Sequence, residues 1–439
     1  MSADQDSRME AIVSLAKRRG FVWRGSDIYG GLAGTWDWAP FGALLKRAIA
    51  DRWWHKFVRS RNDIYGIDTA ILMSGKVWEA SGHLAGFSDP LAQCELCKKR
   101  FRRDHVSDIT CPECGGKLAG AGQFNMMFGT EVGVEGGERA YLRPETAQGM
   151  FVNFKNIVDS FHPRLPFGVA QIGKAFRNEI SPRDFLFRAR EFEQMEIEYF
   201  VHPDEWEKHF EQWRTEMKEW ITDDLGLTDL HVHEVEVAPE ERAHYSKRTI
   251  DFEFDFPFGR KELYGLAYRG DYDLTRHSES SSEDLSYFDD TPGVRFIPHV
   301  IEPTFGLDRT VLAVLLSAYR EDTLPSAEGG AEEKRVYLAL PNHLAPVRAA
   351  VFPLLKNKPE LVLAARSVYD GLRKEGIAAV FDDNGNIGKR YRRQDEIGTP
   401  HCITIDFQTL DDNTVTLRNR DTGAQERVLS ESLSAHLGV

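Results

Sequence analysis

Between Gln171 and Phe200 the chain reads QIGKAFRNEISPRDFLFRAREFEQMEIEYF, setting arginines and glutamates among apolar residues. Arginine offers a planar fork to phosphate or carboxylate oxygens, and clustered carboxylates offer a seat to a cation or an ammonium group. If RAREFEQMEIEYF is a strand, its two-residue period puts Phe192, Gln194, Glu196 and Glu198 on one face. Arg177 and Glu179 share a face in the same way at the end of the strand before it. A solvated polar face is the ordinary outcome for an antiparallel pair. Phe192 argues against it, because a ring among carboxylates has a use if a planar ligand stacks on it while Arg177 takes a phosphate.

A second group of chemically capable residues is Cys94-x2-Cys97 with Cys111-x2-Cys114, the spacing of a tetrahedral zinc site. Thiolates at all four corners leave no place for a substrate, so the ion they imply is structural. The glycines after Cys114 allow a tight knuckle. Cys402 lies in an apolar run and reads as a buried thiol. Five cysteines in 439 residues are no disulfide framework. DDNGNIGKR lacks the full calcium-loop and phosphate-loop patterns and reads as a turn with a basic edge, and His231 and His233 are a weak metal signal.

These residues need a frame. FGVAQIGKAF and RAREFEQMEIEYF read as neighbouring strands joined through Ser181, Pro182 and Arg183. FGALLKRAIADRWWHKFV has the three- and four-residue apolar spacing of a helix, as does DEWEKHFEQWRTEMKEWITDDL, whose Trp206, Trp213 and Trp220 mark a packed face. REDTLPSAEGGAEEKR interrupts the pattern, and after it RVYLALP, GIAAVFDD and HCITIDF alternate with helical stretches as in a small α/β domain. The net charge of −14 excludes a general nucleic-acid coat protein, though not a local basic patch. No run is apolar enough to span a membrane and the first twenty residues do not read as a secretory signal, so a cytoplasmic location is expected.

FRNE, its loop and FRAREF resemble motif 2 of the class II aminoacyl-tRNA synthetases, and VIEPTFGLDRTVLAVL resembles motif 3. QIGKAFRNEISPR and YLRPETAQGMFVNF are similar in detail to the homodimeric glycyl-tRNA synthetases. The resemblance covers nearly the whole chain. It implies an α+β catalytic domain around an antiparallel sheet over residues 1–320, with a zinc-ribbon-like insertion at 92–118 and a mainly helical or mixed insertion at about 203–250. A linker at 321–335 and an anticodon-binding α/β domain at 336–439 would follow. The implied substrates are glycine, ATP and tRNA(Gly), with Mg2+ and a structural zinc ion, in a homodimer that has no membrane contact.

The resemblance also implies roles. Arg177, Glu179 and Arg309 would be catalytic, with Arg177 on the α-phosphate and Arg309 on the γ-phosphate. ATP would further meet Asn178, Phe187, Arg188, Ala189, Arg190, Glu191, Phe192, Glu262, Leu263, Gly306, Leu307 and Asp308. Glycine would meet Arg102, Glu145, Phe192, Glu193, Gln194, Met195, Glu196, Glu302, Pro303, Thr304, Phe305 and Gly306. Glu262 and Glu302 would hold Mg2+ with the nucleotide. Lys389, Arg390, Arg392 and Arg393, in the basic stretch of the second domain, are expected to meet tRNA phosphates.

Two positions depart from the family pattern. Thr304 stands where serine is frequent, and Ala70 stands where motif 1 normally has a proline. The rival readings are a class II synthetase for another small amino acid and a synthetase-derived, non-catalytic nucleic-acid-binding subunit. The presence of both Arg177 and Arg309 speaks against the second.

Overall fold

The computed structural model describes residues 3–103, 106, 109–134, 136–228, 230–291, 293–324 and 333–438. Its centre is a seven-stranded sheet made of β1 (Ile64–Gly66), β2 (Phe167–Phe176), β3 (Glu191–Val201), β4 (Val232–Glu236), β5 (Arg248–Phe256), β6 (Gly259–Gly270) and β7 (His299–Gly306). The strands lie in the order β4-β5-β6-β7-β3-β2-β1, antiparallel except for β1 against β2. Strand period two divides this sheet chemically. On β3, Met195, Ile197 and Tyr199 enter the apolar core while Gln194, Glu196 and Glu198 occupy the opposite face.

Helices cover the apolar face. α1 (Ala3–Arg18) leads into α2 (Pro40–Trp54), which begins with proline at its first turn and buries Leu45, Ile49 and Trp53 at four-residue spacing. α4 (Trp206–Glu219) continues as a wider π turn through Asp224. α6 (Leu307–Ala318) follows β7 directly and is buried along almost its whole length. Trp53, Phe57, Trp213, Trp220 and Phe305 meet in the centre with ring centroids 5.3 to 6.4 Å apart. Each such pair contributes about 0.5–1.5 kcal/mol beyond its buried area. Two short helices close the polar face, α3 (Ala147–Phe151) and α5 (Tyr272–Ser281).

The segment expected as an insertion at about 203–250 is not set apart from the sheet. After α4 it supplies β4, and its end is the start of β5, because alternating apolar residues in β5 find the core; residue 229 lies outside the described residues. The linker expected at 321–335 also differs at its ends. Tyr319–Leu324 and Glu333–Leu338 pair as an antiparallel ribbon, and residues 325–332 lie outside the described residues.

Beyond the ribbon, β8 (Ala349–Pro353), β9 (Ala379–Phe381), β10 (His401–Ile405), β11 (Thr414–Asn419) and β12 (Gln425–Leu429) form a mixed sheet in the order β9-β8-β10-β11-β12. α7 (Pro359–Lys374) and α8 (Ile387–Ile397) pack on it. The two units are fused rather than tethered. Leu338, Leu340, Leu344, Val347 and Ile397 belong to the same apolar cluster as β3 and α6, and Arg18 and Arg19 pair with Glu396 of α8. Among the described residues no helix is long and apolar enough to cross a membrane.

A buried ion network holds the junction. Arg335 donates to both oxygens of Asp322 at 2.6 and 2.8 Å and to Asp395 at 3.2 Å, while Arg418 grips Asp395 at 2.8 and 3.0 Å. Asp395 and Arg335 are almost wholly buried. Removing the carboxylate takes from buried Arg418 its carboxylate partner and leaves Arg335 with Asp322 alone, so Asp395→Ala should lower stability by about 3–5 kcal/mol in urea denaturation, and a loss under about 1 kcal/mol would show that the network is idle.

Candidate active site

The polar face of the sheet floors a cavity of about 500 Å³. One end is acidic. Glu196 on β3 and Glu302 on β7 both face it, with Glu145 beside them just before α3. Thr304 Oγ1 lies 2.9 Å from Glu196 Oε1 and 3.0 Å from Glu302 Oε1, so its single hydrogen is shared between the two carboxylates. Thr146 donates to the other oxygen of Glu196. Glu198 stands beneath, fully buried, with neither oxygen hydrogen-bonded, and acceptor atoms of Glu196, Glu198 and Glu302 all lie within 4.8 Å of one another.

Arg269 at the end of β6 answers this charge. It donates to Asp273 through Nε at 2.7 Å and Nη2 at 2.8 Å, and Nη1 donates to Glu302. Asp273 also accepts from Gln148 at 3.0 Å; Gln148 donates to Glu145 at 3.1 Å, and His83 Nε2 sits 3.2 Å from Glu145. Burial alone would raise the Glu145 carboxyl, but the charges of His83 and Arg269 and these bonds hold it well below the usual range. Glu302 is pushed up to about 8 by burial, against the pull of Arg269 and with the help of Glu196 and Glu145. Burial and the neighbouring Glu302 push Glu198 well up.

The other end is basic. Arg177, Arg188 and Arg309 line it, with Arg102 at the rim in a 3.0 Å pair with Asp89. Burial, and crowding by Arg102, Arg183 and Arg309, lower the Arg188 guanidinium below its ordinary value. Such a group of cations is arranged for a polyanion. Phe192 lies half-buried between the two ends with the Arg177 guanidinium 5.2 Å from its ring. Arg309 donates to the Glu262 carbonyl at 3.1 Å and lies over the Phe187 ring at 4.5 Å. Asp308 is pushed up to about 6 by burial, with Lys46 opposing.

The cavity therefore brings together Arg102, Glu145, Arg177, Glu179, Phe187, Arg188, Ala189, Phe192, Glu193, Gln194, Glu196, Glu262, Leu263, Glu302, Thr304, Gly306, Asp308 and Arg309. Other expected residues do not line it. Met195, Phe305 and Leu307 point into the apolar core, as the strand period and the helix face require. Pro303 is buried within β7, Glu191 pairs with Lys174, and the Asn178 backbone binds Met126. Arg190 turns away to bind the carbonyls of Ala33 and Glu179, tying down the neighbouring loops. The backbones of Glu262 and Glu302 are offset along the sheet. Glu302 is opposite Ala267, five residues along β6 from Glu262, a rise of roughly 16 Å. The residue near Glu262 is Asp251, pushed up to about 7 by burial, then by Glu262 and Glu253. Sequence reading missed Asp251, Tyr245 and Arg269, and only the i,i+4 spacing of Arg269 and Asp273 hinted at the last of these.

The four cysteines do converge. Their sulfurs lie within 4.8 Å of one another, 3.4 Å between Cys94 and Cys114 and 3.8 Å between Cys97 and Cys111. That matches the edge of about 3.8 Å expected for a tetrahedron with Zn–S near 2.3 Å. Residues 104, 105, 107 and 108 of this unit lie outside the described residues. The basic stretch of α8 behaves differently from its expectation. Arg390 is buried and donates to the carbonyls of Pro353, Asp383 and Gly385; Arg393 pairs with Asp382, and Arg392 donates to the Lys334 carbonyl. Only Lys389 of the four is exposed, because the 3.6-residue period turns Arg390 with Gln394 toward the domain core.

Comparison with known proteins agrees with this geometry. Residues 128–319 match the tRNA synthetase class II core domain (G, H, P, S and T), and residues 348–437 match the anticodon binding domain. A glycine–tRNA ligase of Thermobifida fusca is 48% identical over 461 aligned residues, covering 99% of this chain and 98% of the relative. One of Streptomyces coelicolor is 47% identical over 100% and 98%, and one of Borreliella afzelii 45% over 98% and 97%. Among solved structures, a Cryptosporidium parvum prolyl-tRNA synthetase in complex with L-proline and AMP matches with a TM-score of 0.67 over 97% of this chain and 76% of that one, at 14% identity, a likeness of fold alone. Sequence identity running the length of both chains, over a core whose sheet carries the motif 2 and motif 3 arginines into one cavity, means that this chain belongs to the glycine–tRNA ligase family of class II aminoacyl-tRNA synthetases.

Proposed function

We propose that the chain activates glycine with ATP and passes the glycyl group to the 3′ end of tRNA(Gly). The observation that supports this is the division of one cavity into an acidic end and a basic end. A glycine carboxylate oxygen attacks the α-phosphorus of ATP, the bond to the β-phosphate breaks, and pyrophosphate leaves. A terminal ribose hydroxyl of tRNA then attacks the glycyl carbonyl, releasing AMP. No covalent bond to the enzyme is needed, so the chain's work is orientation and charge neutralisation.

Glu145, Glu196 and Glu302 receive the ammonium group, which leaves the carboxylate facing Arg177. Arg177 neutralises the α-phosphate, Arg188 and Arg309 take the departing phosphates, and adenine lies on Phe192. Mg2+, when bound, supplies further neutralisation of the phosphate oxygens. Glu262 and Asp251 are the residues that would hold it, two carboxylates beside the basic end being a fitting donor set. Zinc at Cys94, Cys97, Cys111 and Cys114 would fix the fold of its insertion and take no part in chemistry. The second domain would reach the anticodon through surfaces other than Arg390 and Arg393. We place the protein in the cytoplasm, whose reducing conditions suit its free thiols, and infer a homodimer, for which exposed Ile71 and Leu72 beside Ala70 supply apolar surface. A non-catalytic accessory role is disfavoured because both motif arginines, Arg177 and Arg309, line the cavity.

Amino-acid-dependent ATP–pyrophosphate exchange tests this reading. Glycine should support exchange where alanine and serine do not, and Arg177→Ala should lower the rate by at least about a hundredfold with the fold intact. Equal rates with alanine would sink the assignment. Because Glu302 titrates near 8 and is neutral below that value, whereas the ammonium needs it charged, the KM for glycine should fall as pH rises from acid toward about 8. Glu302→Gln should flatten that dependence. Elemental analysis should find about one zinc per chain, lost in Cys111→Ser; protein purified without chelator and free of zinc would exclude the metal.

A further inference from the structure

The guanidinium of Arg269 is fixed at its edges by Asp273 and Glu302, and its faces are fixed by rings. Tyr245 stacks on one side with its centroid 3.6 Å from Cζ, and fully buried Phe151 of α3 is 5.2 Å away. Tyr245 comes from the loop between β4 and β5, which forms a wall of the active cavity. Behind that wall is a second cavity of about 410 Å³, lined by His244, Lys247, Tyr272 and Arg276. Tyr245 and Ser246 line both cavities. Ser246 is small and tethered, its hydroxyl 2.6 Å from Thr249 Oγ1 and 2.9 Å from the Arg248 carbonyl, so the Tyr245 ring is the bulk of the partition.

Next to Thr304 the floor offers no side chain from β6 to exclude a larger substrate. Opposite Thr304 on β6 is Gly265, where an added Cβ would meet nothing nearer than 3.9 Å. Steric refusal of a substrate side chain has to come from a wall. We propose that Tyr245 is a positioning and specificity residue: its ring holds Arg269 flat against Glu302 and closes the amino-acid end of the active cavity from the cavity behind it. This rests on the reading of the acidic end as the glycine site. The stack strengthens in a desolvated site, and the partition refuses any substrate that carries a side chain.

Exchange assays on the full-length protein test both halves, with thermal unfolding confirming that each variant is folded. Tyr245→Phe keeps the ring and should therefore keep the low KM for glycine and the refusal of alanine that the other two variants test. Tyr245→Leu loses the flat face but keeps most of the bulk, so the KM for glycine should rise by about tenfold with the KM for ATP unchanged and alanine still refused. Tyr245→Ala should raise the KM for glycine similarly and, by joining the cavities, admit alanine or serine. If Tyr245→Leu and Tyr245→Ala keep the wild-type KM for glycine, or Tyr245→Ala still refuses alanine and serine, the proposal is overturned. Wild-type protein that fails to exchange with glycine would instead overturn the functional reading.

Discussion

The site depends on one buried guanidinium. Glu196, Glu198, Glu302, Asp273 and Glu145 gather at the acidic end, and without a cation among them the desolvation and mutual repulsion of the carboxylates would expel charge from the whole cluster. Arg269 satisfies Asp273 in a two-point grip and still reaches Glu302. It leaves the cluster acidic in excess, which is what a bare ammonium group requires. Gln148, His83 and Thr304 then spread the remaining charge over hydrogen bonds, so each acid finds its donor except Glu198, whose carboxyl is pushed well up by burial and the neighbouring Glu302.

The sheet makes this cluster possible by its two-residue period. The same β3 that presents Gln194 and Glu196 to the cavity sends Met195, Ile197 and Tyr199 into an aromatic core under α2 and α4. Polar function and apolar stability are thus interleaved residue by residue, and each acid is held by core residues immediately before and after it in the strand. β7 does the same, with Ile301 and Phe305 facing the core and Glu302 and Thr304 facing the cavity. α6 begins where β7 ends, so Arg309 arrives at the basic end in a fixed position.

The second domain is joined to this frame by more than its ribbon. Apolar residues from Leu338 to Val347 complete the core of the first unit, and the Asp395 network locks α8 and β11 to Arg335. The basic stretch that looks like an RNA contact in sequence is largely consumed in this scaffold, since Arg390 and Arg393 hold loop carbonyls and Asp382. A positive residue in a helix is as readily a structural clamp as a phosphate ligand, and only the face on which it falls decides between them.

Much of the molecule was legible from residue order alone. The alternation in RAREFEQMEIEYF fixed which acids of β3 share a face, the helical spacing around Trp53 and Trp213 named the core, and the CxxC pairs announced their convergence, because each of these is a local periodic constraint. The motif arginines Arg177 and Arg309 were found through the resemblance of their motifs to the class II synthetases, and both line the cavity. What tertiary structure decided was whatever depends on register between distant strands. Glu262 and Glu302 look like partners in sequence and stand five residues apart in the register of β6 and β7, while Asp251 joins Glu262 across β5 and β6. Arg269 and Tyr245 drew no attention as single residues in ordinary contexts. They become central only when folding removes water around five carboxylates, and the nearest cation, with a ring to hold it, has to answer the charge.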